Sequence, residues 1–383
     1  MPRLDKYLKY LKENKGSDLH LRTGTEPRMR ARGSLDPIPG ARAFNDKELR
    51  ALLSELTNAE QWAEYEQRLE LDFAYGLPGI GRYRANFFNQ ESGAAAVFRL
   101  IPEDIKTLID LNMPKAIEKF AHLRSGLVLV TGPTGSGKST TLAAIIDKIN
   151  DTYDKHILTI EDPIEFVHKN KVSVISQREV GTHTKTFGTA LRAAMRENPD
   201  VILVGEIRGK EAELAITAAE MGMLVFGTLH TNSAAKTVDR LIDIFPEEEQ
   251  EQVRVSLSEG LAGIVSQLLV PTADGQGRVA AVEILMKTTG LPNIIREGNT
   301  PLLVSLIQGG RAHGMQAMDD TLAELVRTKV IRVKDAYQRA LDKARFEAML
   351  RPPGEVVPEK GRKEVARELS PEELEIEALK TGH

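Results

Sequence analysis

The sequence predicts an α/β chain in two parts: a small mixed α/β domain, then a doubly wound, mainly parallel sheet with helices taking over towards the C-terminus. Two observations carry this. Over the first hundred residues, short stretches with period-2 alternation mix with stretches of helical period. From Leu127 onward, continuous apolar runs (Leu127–Val130, His156–Ile160, Val201–Val204, Leu224–Gly227) alternate with helical stretches, as strands buried on both faces do. The expected limits are 1–102 for the first domain, 103–116 for a linker, 117–350 for the second domain and 351–383 for a charged tail.

The 383 residues, 41% of them hydrophobic, suffice for two or three domains. A formal net charge of -4 and 5% aromatic content speak against a general nucleic-acid binder, which carries a basic, aromatic-rich stripe. The absence of cysteine excludes disulfides and thiolate metal sites and suits a cytoplasmic home. The eight histidines are scattered, without metal-ligand spacing. No stretch has the apolar core of a signal peptide or the length of a membrane span, so the expectation is a soluble chain without direct membrane insertion.

Leu4, Tyr7, Leu8 and Leu11 fall at helical spacing and predict an amphipathic first helix. Ser17–Leu21 alternates as a strand, and a second extended stretch surrounds Met29 and Ala31. Asn45 is placed to cap a helix carrying Leu49, Leu52, Leu53 and Leu56, and a further helix spans about 59–69. Leu71, Phe73 and Tyr75 alternate; Gly76–Gly81 reads as a hairpin turn; Arg82–Phe88 and Ala94–Leu100 are two more strands. Arg82 and Arg84, two apart on one strand, share a face. Arg99 lies on the next strand, in a register the sequence leaves open. Such a cluster suits a phosphate, while spacing alone favours a solvated strand face. Pro102 and Pro114 punctuate the linker.

Gly132-Pro133-Thr134-Gly135-Ser136-Gly137-Lys138-Ser139, followed by Thr140, fits G-x-x-x-x-G-K-[ST] between an apolar strand and a helix with Leu142, Ile145, Ile146 and Ile149 on one face. The glycines let several N–H groups converge on one anion, Lys138 adds a charge near the β- and γ-phosphates, and the Ser139 hydroxyl suits Mg²⁺. A Gly-rich surface turn would explain neither the lysine nor the flanks. The expected ligands are therefore ATP and Mg²⁺.

The next strands end in Glu161-Asp162-Pro163, in Gly205-Glu206 and in Thr228-Leu229-His230. In open parallel sheets ligands collect at the carboxyl ends of strands. Glu206 is the first candidate for the group that orients or deprotonates the attacking water. Glu161 is the second, with a water-mediated hold on Mg²⁺ as its other role. The usual Asp of the second acidic strand is replaced by Gly205-Glu206, which leaves the division of labour open. His230 is either a structural histidine or a reporter of the γ-phosphate.

These stretches in this order (GPTGSGKST, ILTIEDPIEF, DVILVGEIR and GTLHTNSAAKTVDRLIDIFP) resemble the secretion-ATPase superfamily. Gln177–Gly181, Ala190–Arg196, Gly290–Glu297, Gly314–Asp319, SDLHL and GRYRANFFNQ…AVFRLIP are similar to stretches of its type IV pilus retraction branch, the PilT/PilU family. The likeness runs from about residue 1 to 345. It implies a PAS-like N-terminal domain and a RecA-like P-loop ATPase domain, assembled as a homo-hexamer. ATP would sit between domains, with Arg82, Arg84 and Arg99 closing over the phosphates. Rotary ATP turnover at the cytoplasmic face of the inner membrane would act on a PilC-like platform protein, in some systems beside a second retraction ATPase. Extension and type II secretion ATPases usually carry an extra N-terminal domain and often a four-cysteine zinc site, so this chain's start at the small domain and its lack of cysteine favour retraction. The main PilT-type motor is the preferred branch. An accessory PilU-type ATPase is the alternative within the family, and a RecA-like nucleic-acid translocase the alternative outside it. The intact Lys138, Glu161, Glu206 and His230 argue against a subunit that binds ATP without hydrolysing it.

Past the histidine box, 246–251 is acidic and opens a helix with Val253, Leu257 and Leu261 on its inner face. Gln267–Val270 and Val279–Leu285 read as strands around a turn at Asp274–Gly277, and Leu322, Leu325 and Val326 as a helix. Ala336–Arg345 continues the helical part. After Pro352-Pro353-Gly354 charged residues dominate, and Ser370-Pro371-Glu372-Glu373 is a helix-start signal in an otherwise mobile tail.

Overall fold

The computed structural model describes residues 2–31, 34–101 and 104–350. The expected tail and Pro102 lie outside them. The chain forms two compact units. Of the described residues, the N-terminal unit comprises those up to Ile105 together with Glu161–Lys169 and Gln177–Thr184; the second comprises Lys106–Ile160, Asn170–Ser176 and those from Lys185 onward.

The N-terminal unit opens with α1 (Asp5–Glu13), whose Tyr7, Leu8 and Leu11 are buried as their spacing predicts. Strands β1 (Asp18–Arg22), β2 (Thr25–Ala31) and β3 (Ser34–Pro37) follow, then α2 (Asp46–Leu53) and α3 (Ala59–Arg68), then β4 (Glu70–Leu77), β5 (Gly81–Gln90) and β6 (Gly93–Ile101). The sheet has the order β3-β2-β1-β6-β5-β4, with every pair antiparallel. Asn45 and Asn58 cap α2 and α3, each in a reciprocal capping box with Glu48 and Gln61. Phe87 is the centre of the core. Tyr65, Phe73 and Phe98 each meet its ring edge-on at 5.1–5.9 Å. The sequence reading lacked β3, whose four residues are too few to show alternation. The β4–β5 turn is also tighter than Gly76–Gly81, because the ladder runs up to the Leu77–Gly81 pair.

The second unit enters through α4 (Lys115–Glu118) and alternates β7 (Gly126–Thr131), α5 (Lys138–Thr152), β8 (His156–Glu161), β9 (Val174–Glu179), α6 (Phe187–Ala194), β10 (Val201–Val204), α7 (Lys210–Glu220), β11 (Leu224–Leu229) and α8 (Ala234–Ile242). After α9 (Gln250–Gly260) come β12 (Leu261–Pro271) and β13 (Arg278–Met286), then α10 (Leu291–Arg296), α11 (Leu302–Gly309), α12 (Met318–Arg327), α13 (Val333–Arg339) and α14 (Lys343–Leu350). The sheet order is β13-β12-β7-β11-β10-β8-β9. β12, β7, β11, β10 and β8 run parallel, and β13 returns antiparallel on β12. The switch point therefore falls at β7, where chain order reverses and where a ligand collects. On α5, Leu142, Ile145, Ile146 and Ile149 are each at most 2% exposed and pack on β7 and its neighbours. Each such side chain contributes roughly 1.5–3 kcal/mol of burial.

One expectation is corrected. Leu261 is not on the inner face of α9; that helix stops at Gly260, and Leu261 is the first residue of β12. A strand buried on both faces shows no alternation, so its apolar run reads as more helix. The helical part continues through 336–345 as expected, divided between α13 and α14. It breaks at Ala340, which is extended, and the Asp319 carboxylate accepts the N–H groups of Leu341 and Asp342 at 3.0 and 2.7 Å. That cap comes from 22 residues away and leaves no local signal. Among the described residues no helix is long and apolar enough to cross a membrane.

Candidate active site

β7 delivers the chain to the loop 132–139, and α5 begins at Lys138 with Gly137 as its cap in the left-handed region, φ 87°. A Cβ on Gly137 would lie 2.8 Å from Gln267 Nε2, and one on Gly132 (φ 146°) would overlap the Gln267 carbonyl oxygen and Ser136 Oγ. Both positions therefore require glycine. The Lys138 ammonium lies over the curl and donates to the carbonyls of Gly132 (2.8 Å) and Pro133 (3.2 Å). Ser136 Oγ is buried with no hydrogen-bond partner. The first N–H groups of a helix have no acceptor inside it, and Ser139 is half-buried on the first turn of α5. A glycine curl, a lysine over it, an orphan buried hydroxyl and a helix N-terminus together fit a triphosphate with a cation on the serine hydroxyl. Pro133, Thr134 and Gly135 are exposed, and Thr140 is half-buried behind Ser139.

The neighbouring strand ends bring two of the predicted residues together. β11 lies between β7 and β10, and its Leu229 carbonyl accepts the Gly132 N–H at 3.3 Å. His230, just past β11, places Nε2 3.2 Å from Glu206 Oε1, just past β10. Thr228 Oγ1 donates to the Gly205 carbonyl at 2.5 Å, and the Ile207 N–H to the Thr228 carbonyl at 3.0 Å, which fixes the backbone under both side chains. Arg208 engages both oxygens of Glu206, with Nε 2.5 Å from Oε1, the oxygen that also faces His230, and a guanidinium N–H on Oε2 at 2.6 Å. β8, next in the sheet, ends on Glu161, which accepts a hydrogen bond from the Gln177 side-chain amide at 3.2 Å. Among the described residues no group of three or more His, Asp or Glu forms a ready metal cage. A Mg²⁺ site built from one hydroxyl, water and phosphate oxygens needs none.

In the N-terminal unit the register left open by the sequence is resolved: Arg84 and Arg99 are direct partners across β5–β6, and Arg82, two residues before Arg84, shares their face. Each arginine meets a carboxylate. Arg82 donates to Glu179 at 2.5 Å, Arg84 to Asp72 at 2.6 Å, and Arg99 to Asp18 at 2.8 Å. Asp72 raises the Arg84 pKa above its ordinary value. Burial works to raise the Asp18 pKa, but hydrogen bonds from Arg99 and Ser17 prevail and hold it below the usual carboxylate range.

Four residues at or behind the site escaped the sequence reading: Glu179, Gln267, Arg208 and Glu283. Glu179 is buried and takes the Ile164 N–H (3.1 Å) and Thr182 hydroxyl (3.1 Å) besides Arg82. Gln267 touches the loop from β12. Glu283, on β13, accepts the N–H of Ala234 at the start of α8 (2.7 Å), and burial pushes its carboxyl above the usual range. An acid inside an apolar run such as Val279–Leu285 is the signal that points to Glu283. Arg208 lies only two residues past Glu206, a local signal, whereas Glu179 and Gln267 depend on tertiary neighbours.

The family model described as "Type II/IV secretion system protein" matches residues 53–369. The chain is 50% identical over 315 residues to a twitching motility protein of Neisseria gonorrhoeae, covering 82% of this chain and 84% of that protein. It is 49% identical over 325 residues to the type IV pilus retraction ATPase PilT of Pseudomonas aeruginosa, covering 85% and 94%. To the type IV pilus ATPase PilU of the same organism it is 37% identical over 337 residues, covering 88% of each. Among solved structures, the pilus retraction motor PilT with bound ADP superposes with a TM-score of 0.83 at 44% identity, covering 89% of this chain and 99% of that one. The fold, the phosphate loop with its strand-end acids and these likenesses agree: the chain belongs to the type II/IV secretion system protein family, in the branch of the type IV pilus retraction ATPases.

Proposed function

We propose that this chain hydrolyses ATP to power type IV pilus retraction, and hence twitching motility, as a homo-hexamer at the cytoplasmic face of the inner membrane. The observation that carries the chemistry is the contact between Glu206 and His230 on adjacent strand ends, beside the strand that carries the phosphate loop. Lys138 binds the β- and γ-phosphates, and the loop N–H groups hold them in line. Ser139, and Glu161 through water, would hold Mg²⁺, which when bound would supply charge neutralisation at the phosphates. Glu206 orients the attacking water and accepts its proton. His230, with Nε2 3.2 Å from Glu206 Oε1, links the state of the γ-phosphate to β11. Arg84, whose partner Asp72 is nearly half exposed, closes over phosphates during the cycle, joined by Arg99 and Arg82 once they leave the buried carboxylates Asp18 and Glu179. The output acts on a PilC-like platform protein in the inner membrane, with a second retraction ATPase as a further partner.

The higher identity to the PilT relatives than to PilU favours the main motor over the accessory one. The test is pilus number and surface motility in a deletion strain complemented with wild type or Lys138→Ala. Extra surface pili with lost twitching, restored only by wild type, support ATP-driven retraction. Loss of pili overturns it in favour of extension, and DNA-stimulated turnover would point to a nucleic-acid translocase.

A further inference from the structure

Gln267 is 2% exposed on β12, the strand beside β7, and both ends of its amide are engaged. Its Nε2 donates to the carbonyl of Ser136 within the phosphate loop at 2.7 Å, and its Oε1 accepts the Thr141 hydroxyl from the first turn of α5 at 2.8 Å. One residue earlier, Ser266 Oγ lies 2.9 Å from Thr131 Oγ1 at the end of β7, both side chains fully buried. The loop is thus pinned at its entry, at its crown and at the helix it leads into, in each case from β12. Gly132 and Gly137, the first and last glycines of the motif, are also the two whose missing Cβ atoms make room for Gln267.

We infer that Gln267 is a positioning residue that holds the phosphate loop in its anion-receiving curl before nucleotide arrives. An eight-residue glycine-rich loop has a large conformational entropy to lose on binding an anion. A side chain that fixes the Ser136 carbonyl outward keeps the neighbouring N–H groups turned inward, so binding does not have to order them. The amide is suited to this because it offers one donor and one acceptor in fixed relation, which neither an acid anion nor an apolar isostere does. The inference rests on the nucleotide-binding reading of the loop.

The test is equilibrium titration of the full-length chain with Mg²⁺ and a fluorescent ADP analogue, alongside steady-state ATP turnover. Gln267→Ala is expected to raise Kd and KM together by about tenfold with kcat nearly unchanged, the pattern of lost preorganisation in the ground state. Gln267→Glu adds a readout that packing alone would not move. Protonated, it has an O–H for Ser136 and an oxygen for Thr141 and binds like wild type. Ionised, it sets a negative oxygen against the Ser136 carbonyl, so its affinity falls relative to wild type as pH rises. Thr141→Val, which keeps shape and removes one hydrogen bond, weakens binding by about threefold and serves if Gln267→Ala does not fold. Gln267→Ala within twofold of wild type, an unchanged Kd in Thr141→Val, or a Gln267→Glu deficit that ignores pH would overturn the inference. A wild-type chain that binds no nucleotide would instead sink the ATPase reading itself.

Discussion

Arg82 and Glu179, 97 positions apart, meet at 2.5 Å, with the carboxylate 4% and the guanidinium 27% exposed. Arg84, on the same strand as Arg82, pairs with Asp72 of β4, and that pair is nearly half exposed on both sides. Burial separates the two. Removing Arg82 leaves a buried carboxylate with only a backbone N–H and a hydroxyl, so Arg82→Ala is expected to destabilise the chain by about 2–3 kcal/mol. Arg84→Ala is expected to stay below about 1 kcal/mol. Urea unfolding of both variants checks the ranking, and equal losses would contradict it.

The glycines of the phosphate loop do not share one role. Gly132→Ala meets the Gln267 backbone and should abolish nucleotide binding or folding. Gly135, at φ 77° with nothing within 4 Å of where a methyl would stand, meets only the left-handed backbone preference. Gly135→Ala should therefore cost about 1 kcal/mol and keep measurable ATPase activity. Nucleotide titration of the two variants side by side tells them apart.

Glu206→Gln keeps the shape of the site and removes the proposed proton acceptor. Turnover should fall about 10²–10⁴-fold while Mg²⁺–ADP affinity stays near wild type. Glu161→Gln should instead lower the apparent Mg²⁺ affinity with a smaller loss of turnover at saturating metal. The opposite assignment of losses would exchange the two acids' roles.

Glu283 titrates above its ordinary value of 4.5 because burial disfavours its charge, against the backbone N–H groups of Ala234 and Met318 that favour it. A folded-state pKa raised above the unfolded one means the folded chain holds more protons in that interval. The stabilisation is full below 4.5 and is lost as pH climbs through the raised value. Thermal unfolding across that interval should show wild type losing stability relative to Glu283→Gln as pH rises. Parallel curves for the two proteins would refute the assignment.

Much of this was legible in the residues because the signals are local. A phosphate loop needs its glycines and lysine in one stretch, a capping box needs Asn45 and Glu48 three apart, and α5 shows its buried face in its own periodicity. Glu206 and His230 could be found from strand ends alone, since a parallel sheet sends every such end to one edge. What stayed hidden acts across the fold. The Arg84–Arg99 pairing waits on a strand register, Gln267 on which strand lies beside β7, and the break at Ala340 on Asp319. Leu261 failed for another reason: strands buried on both faces erase the alternation that separates them from helices.

The N-terminal unit is discontinuous in sequence, since Glu161–Lys169 and Gln177–Thr184 belong to it although His156–Ile160 of β8 and Val174–Ser176 of β9 do not. Its boundary is consequently not a place where the gene can be cut. A fragment ending at Ile105 would strand Arg82 without Glu179. Exchanging this unit between relatives would have to carry three pieces of sequence at once, so the two halves are expected to have diverged in step rather than been shuffled as modules.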